Sequence, residues 1–255
     1  MLAPRADRRT RWATCIAATL ATLLSSPVAA EQQVGPFEVS GSANVNTKGI
    51  SLVPALTLGR PAAIFDVVVR KGRGSFEPQF RFALDGKPWS FLLWGRYRAV
   101  RGDRFQLTVG GHPAFSFRTT SAVVGGTSRD LIETRRYVAG EITPVFSMTR
   151  KVGLGGYYLY SHGLDVGAPP HTHLVAARLI STPIEIKQGL VLQFLPQIYY
   201  LNTNSQGGTY LGANVSLSRK SIPLSLTSII NKPIATEVVG GRDFLWNIGV
   251  TYSFR

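Results

Sequence analysis

Along most of the chain, apolar and polar residues alternate singly instead of recurring every third and fourth position. The last run is the clearest. Phe244, Trp246, Ile248, Val250, Tyr252 and Phe254 occupy one set of alternate positions, and Leu245, Asn247, Gly249, Thr251 and Ser253 occupy the other. Successive side chains of an extended strand point to opposite faces, so this segment carries one apolar face with aromatics at both ends and one mostly small, polar face. The pattern recurs upstream. Phe76, Pro78, Phe80, Phe82 and Leu84 oppose Glu77, Gln79, Arg81 and Asp85. Phe105, Leu107, Val109, Phe115 and Phe117 oppose Gln106, Thr108, His112, Ser116 and Arg118, and Leu211, Ala213, Val215 and Leu217 oppose Tyr210, Asn214, Ser216 and Ser218. A charged or amide group at every second position is poor material for a sandwich core, but it suits the watered interior of a barrel whose other face meets lipid.

Read this way, the chain predicts an all-β fold, an antiparallel up-and-down transmembrane β-barrel. Its strands are expected over 36–46, 62–71, 75–85, 88–99, 103–120, 131–149, 152–164, 172–186, 190–203, 208–218, 222–234 and 242–254. Twelve is an even number, which returns the C-terminus to the side where the N-terminus begins; ten or fourteen strands also fit the pattern. The connections are expected to alternate. Those around 71–74, 101–103, 150–151, 187–189 and 219–222 are tight and basic, whereas 47–61, 122–130, 165–171, 203–207 and 235–242 are longer, with only Gly86-Lys87 short on that side. Short periplasmic turns and longer outer loops are the arrangement of bacterial outer-membrane barrels.

The first thirty residues read differently. Arg5, Arg8, Arg9 and Arg11 precede an apolar stretch from Trp12 to Leu24, and Val28-Ala29-Ala30 places small residues at the −3 and −1 positions of a cleavage site. This is the layout of a secretory signal peptide removed after Ala30, and its apolar part falls short of the ~20 residues a membrane-spanning helix needs. Residues 31–255 then form the barrel domain. Cys15, the only cysteine, lies in the leader, so the exported chain has no disulfide or thiol chemistry. The leader holds four Arg and one Asp; subtracting these from 28 basic and 14 acidic residues leaves 24 against 13, a net charge near +11. In an exported chain with dispersed basic residues, this points to lipopolysaccharide and anionic solutes as counterparts, not nucleic acid.

The C-terminal segment Trp246-Asn247-Ile248-Gly249-Val250-Thr251-Tyr252-Ser253-Phe254-Arg255 resembles the terminal-strand signal of proteins assembled by the outer-membrane barrel insertion machinery, although Arg255 follows the aromatic on which that signal ends. Asn46-Thr47-Lys48-Gly49-Ile50-Ser51-Leu52 and Tyr157-Tyr158-Leu159-Tyr160-Ser161-His162-Gly163 look like segments of barrels from Bacteroidota-type bacteria. The resemblance implies location in the outer membrane, with outer-membrane lipid and the assembly machinery as partners. It implies no activity.

Candidate chemistry is sparse. Ser161 and His162 are neighbours on a strand and face opposite sides, so they cannot form the hydrogen-bonded pair that activates a nucleophile. His112 and Ser116 share a face but stand ~13 Å apart along it. His171 and His173 face one way, after Pro169-Pro170, and are expected at a loop rim. Arg101-Gly102-Asp103 falls in a periplasmic turn, and Gly153, Gly155 and Gly156 match no nucleotide fingerprint. No metal-ligand set, cofactor motif or catalytic residue is expected. What remains is the inward-facing set Glu77, Arg81, Arg96, Arg98, Arg118, Arg135 and Glu141, in which five arginines face two carboxylates. Twelve tilted strands give a backbone diameter of roughly 24 Å, narrowed by side chains to a small passage. The reading that follows is a porin-like narrow channel for small anionic or polar solutes. The alternatives are a structural or surface-interaction barrel sealed by those same charges, and a lipid-acting barrel hydrolase with a Ser–His pair facing lipid near the rim.

Overall fold

The computed structural model describes residues 36–124, 127–187 and 189–255; the leader and the Ala30 cleavage site lie outside them. The described chain is a closed antiparallel barrel of twelve staves. Its strand segments are β1 (Glu38–Asn46), β2 (Ala62–Lys71), β3 (Gly74–Ala83), β4 (Pro88–Arg101), β5 (Phe105–Val124), β6 (Thr127–Ser147), β7 (Val152–Gly163), β8 (Thr172–Ser181), β9 (Ile184–Lys187), β10 (Leu190–Thr203), β11 (Gln206–Arg219), β12 (Leu224–Thr236), β13 (Leu245–Trp246) and β14 (Gly249–Phe254). Two staves are each split into two segments. Between β8 and β9 stands Pro183, which has no N–H to give to a ladder. Between β13 and β14, Asn247 diverts backbone bonding to its side chain: its Oδ1 accepts from the Ile229 N–H at 2.8 Å, and its Nδ2 donates to the Lys48 carbonyl at 2.8 Å. The last strand is therefore interrupted where continuous alternation over 242–254 predicts one unbroken run.

Closure comes from β1 pairing with β14, from Gly41 opposite Phe254 to Asn46 opposite Gly249. Every stave is thereby paired on both sides, the condition for strands to cross a bilayer that offers no hydrogen bonds. The period-two faces resolve as expected. Phe244, Trp246, Ile248, Val250, Tyr252 and Phe254 all point outward and are each 41–56 % exposed. Phe65, Phe76, Phe105, Phe146, Leu154, Phe194 and Leu211 do the same on other staves. A closed barrel with an apolar exterior is an integral outer-membrane protein, since water would not tolerate so continuous an apolar surface.

The connections depart from expectation in two places. Residues 122–124 and 127–130 are strand, not loop: β5 and β6 stay paired from Phe105 opposite Phe146 to Val124 opposite Thr127, so the hairpin runs on past the barrel wall. The Thr- and Ser-rich stretch reads as a loop by composition, yet these residues suit an exposed ladder. The link expected over 203–207 is a two-residue turn, Asn204-Ser205, with φ of 49° and 62°. Both residues are left-handed, as a tight primed hairpin turn requires. The regular alternation of short and long connections is accordingly weaker than the sequence suggests.

The long first loop, 47–61, turns inward. A single 3-10 turn, Pro54–Leu56, carries it across the mouth, with Ile50 and Pro54 buried. Leu52 and Val53 pack on a lumenal core of Leu174, Ala176, Tyr199, Leu201, Tyr210 and Val238. In that core the Tyr199 and Tyr210 rings stack at 4.9 Å. Val238 comes from the last loop, so the first and last loops together cap one side of the mouth.

Candidate functional site

The site begins with a β-bulge. Arg81 opposes Ser90 and Phe82 opposes Pro88, which leaves Trp89 unpaired. The extra residue turns the strand locally, and the indole enters the lumen where strict alternation would aim it at lipid. There Trp89 is buried, and its Nε1–H donates to the Leu56 carbonyl of the inturned loop at 2.8 Å. The Arg81 guanidinium lies over its ring at 5.1 Å. A wall feature thus fastens the cap.

Beneath the cap is a chamber of about 710 Å3. Its described wall includes Arg60, Arg81, Lys87, Arg118 and Arg135 and contains no Asp or Glu. Three of these cations have partners just outside the wall: Arg60 with Asp85 at 2.6 Å, Lys87 with Asp130 at 2.6 Å, and Arg135 with Glu133 at 2.8 Å. The Lys87 backbone N–H and the Arg60 guanidinium hold the Asp85 carboxyl, in its turn outside the membrane span, below the usual carboxylate range. Arg81 donates to Gln79 Oε1 at 2.6 Å, and Gln79 in turn donates to Asp66. Among the described residues neither Arg81 nor Arg118 forms an ion pair.

The chamber floor is a bridge of charges. Arg96 of β4, Gly110 of β5 and Glu141 of β6 stand opposite one another in register. Gly110 has no side chain to block the path, so Arg96 reaches past the intervening stave and its Nε meets Glu141 Oε1 at 2.5 Å. A Cβ at Gly110 would come within 3.0 Å of Arg96 Cγ and 3.1 Å of Glu141 Oε1. The other side of Arg96 is bonded to Glu77, the Tyr157 hydroxyl donates to Glu141 Oε2 at 3.0 Å, and the guanidinium lies 4.2 Å over the Trp94 ring. Trp94 itself packs on His112 with ring centres 3.7 Å apart.

All seven predicted lumenal residues lie on inward positions of their strands, and the structure divides them by role. Arg81, Arg118 and Arg135 line the chamber, whereas Glu77, Arg96 and Glu141 form its floor. Arg98 sits at the end of the barrel away from the cap, beside the Gly72-Arg73 turn, its backbone N–H donating to the Arg73 carbonyl. Arg96 spends its charge on two carboxylates, so the positive character of the lumen rests on arginines without an ion pair among the described residues: Arg81, Arg98 and Arg118, joined by Arg178, whose guanidinium lies 6.0 Å over the Tyr157 ring. The sequence reading passed over Trp89, Trp94, Tyr157, Gly110 and the whole inturned loop. One signal was available: Ile50, Leu52, Val53, Leu56 and Leu58 are too apolar for a loop that meets only water.

Except for His112, the histidines fall elsewhere. Ser161 faces the lumen, and His162 faces outward with its Nδ1 2.6 Å from the Pro170 carbonyl. His171 and His173 also face outward, bonded to the Tyr160 and Tyr158 hydroxyls at 2.8 and 3.0 Å. None of these partners is a serine. Arg101-Gly102-Asp103 lies at the turn between β4 and β5, at the end of the barrel away from the cap.

No protein-family model and no curated protein sequence matches the chain. Solved outer-membrane barrels resemble its fold. LpxR from Salmonella typhimurium is 10% identical, with a TM-score of 0.47 over 84% of this chain and 99% of its own. An outer membrane channel from Pseudomonas putida F1 is 11% identical, with 0.46 over 84% and 94%. Outer-membrane expressed OmpT of Vibrio cholerae is 10% identical, with 0.41 over 86% and 97%. Likeness at this level speaks to neither substrate nor activity.

Proposed function

We propose that the barrel is a constricted passage for small anionic solutes, which enter the capped chamber and leave past the Arg96 floor. The observation that supports this is the chamber wall, which carries five cations and no Asp or Glu among its described residues, with Arg81 and Arg118 free of ion pairs among them. Inside low-dielectric walls such fixed charge acts at short range and salt screens it only in part, so anions are concentrated and cations repelled. A second reading, the sealed barrel, draws on two other observations: the inturned loop over the mouth and the Arg96 bridge across the lumen.

Planar-bilayer recording in a salt gradient separates the two. The expected result is a conductance whose reversal potential marks anion preference, weakened when Arg81 and Arg118 are both changed to Gln. Cation preference would overturn the passage reading. A silent wild type that conducts only after residues 50–58 are deleted would establish the sealed barrel.

A further inference from the structure

The chamber wall carries an ordered polar rung. Arg81 of β3 stands opposite Ser90 of β4, Ser90 opposite Ser116 of β5, and Ser116 opposite Arg135 of β6. Two serines are thereby flanked by two arginines at one level of the wall, Arg81 bonded to Gln79 and Arg135 to Glu133 and the Gly167 carbonyl. Neighbouring staves lie about 4.8 Å apart, so the two arginine backbones are about 14 Å apart, a gap that two long side chains can close from either end. Arg118 follows Ser116 two residues along β5 on the same face and adds a third guanidinium above the rung.

A second observation points to a ligand. Ser90 Oγ is buried and has no hydrogen-bond partner, although Ser90 lines the chamber. The large majority of buried side-chain polar atoms have a hydrogen-bond partner. Hydroxyl and guanidinium N–H groups all donate, and a flat or tetrahedral oxyanion is the acceptor they fit best.

One part of the chamber is of the opposite character. Leu52, Val53 and Leu56 descend from the cap, and Leu92, Trp94 and Leu159 face them from the wall. This surface offers an apolar body nothing to hydrogen-bond with and an indole to stack on. A volume of about 710 Å3 far exceeds that of a chloride ion and lies within the range of pockets that hold drug-sized molecules.

We infer that the chamber is a binding site for amphiphilic organic anions, with the carboxylate or phosphate head on the Arg81–Ser90–Ser116–Arg135 rung under Arg118 and an aryl or aliphatic body against Trp94 and the cap. The inference rests on the passage reading for how the solute arrives, but not for whether it binds.

Trp89 and Trp94 line the chamber and Trp246 faces lipid, so the test uses barrel purified from outer membranes and carrying Trp246→Phe. Indole emission is titrated with 4-nitrobenzoate, 4-nitrophenyl phosphate and neutral 4-nitrobenzyl alcohol. Saturable quenching by one or both anions and none by the alcohol is expected, and the tighter anion identifies the head group. 4-Methylbenzoate should compete and acetate should not. Arg118→Gln, at the edge of the rung, and Ser90→Ala should each weaken binding on the order of tenfold, the usual cost of one charge-assisted hydrogen bond. Retained heat-modifiable migration in SDS shows that these variants are folded. Equal quenching by the alcohol would overturn the anionic rung, and equal competition by acetate would overturn the apolar half. Quenching without conductance would leave the site standing and remove the passage. Anion conductance without saturable quenching would do the reverse.

Discussion

Replacing Arg96 with Met tests the floor most directly. Met keeps an apolar stem over Trp94 and removes the bonds to Glu141 and Glu77. The Glu141 side chain is 3 % exposed, so its carboxylate would be left with the Tyr157 hydroxyl alone. Breaking a fully buried pair by removing one partner costs about 3–5 kcal/mol, because the other charge stays desolvated. Arg96 and Glu77 are 25 % and 20 % exposed, so lumenal water recovers part of this and the expected loss is about 2–3 kcal/mol. The measurement is urea unfolding of barrels folded in lipid vesicles, followed by tryptophan emission. Glu141→Gln combined with Arg96→Met removes both charges, and the double variant should be more stable than the sum of the single losses by about 1–2 kcal/mol. Conductance should rise in the double variant as the bridge disappears. Additive losses, with coupling below about 0.5 kcal/mol, would refute a coupled floor. So would an Arg96→Met barrel as stable as the wild type.

Two further outcomes follow from single contacts. Gly110→Val places methyl groups where even a Cβ meets Arg96 Cγ at 3.0 Å and the Gly95 carbonyl at 3.1 Å, so it should cost about 2 kcal/mol in the same unfolding assay and uncouple Arg96 from Glu141. Asp165, in the loop after β7, accepts from the Arg136 side chain and from its backbone N–H, and these bonds hold its carboxyl below the ordinary value of 3.8. A lowered carboxylate holds its contact above the unfolded value and loses it as pH falls through the folded one. Hydrogen exchange in the 164–171 loop should therefore stay slow until the pH drops below 3.8 and be fast at neutral pH in Asp165→Asn; fast exchange in the wild type at neutral pH would show that the anchor does not hold.

Which residues face lipid and which face the lumen was legible because a period of two is written in the chain itself. The strands 62–71 and 190–203 end where expected, the first between Pro61 and Gly72 and the second between Gly189 and the Asn204-Ser205 turn. The floor was not legible. Arg96 and Glu141 are 45 residues apart, and their meeting depends on the register of β4, β5 and β6 and on a glycine between them. The same holds for the rung, since Ser90 and Ser116 read as ordinary lumenal hydroxyls until pairing puts them side by side. Trp89 was hidden for another reason: the extra residue of a bulge shifts the phase of the alternation by one, so that Pro88 and Ser90 face opposite sides. The hairpin beyond the wall was obscured by composition, because Ser and Thr serve loops and exposed ladders alike.

Asn247 links two ends of the chain that are made far apart in time. It lies in the last stave, and its side chain holds the Lys48 carbonyl at the root of the first loop, while the Thr47 hydroxyl accepts from the Ile248 N–H at 3.0 Å. The loop that caps the mouth is thus synthesised among the first segments of the barrel, and its root is latched by one of the last. Joining the edges of the sheet and fixing the root of the cap are a single molecular event. A chain halted before Asn247 has an unjoined edge and an unlatched cap root together, even where Trp89 already holds the tip of the loop.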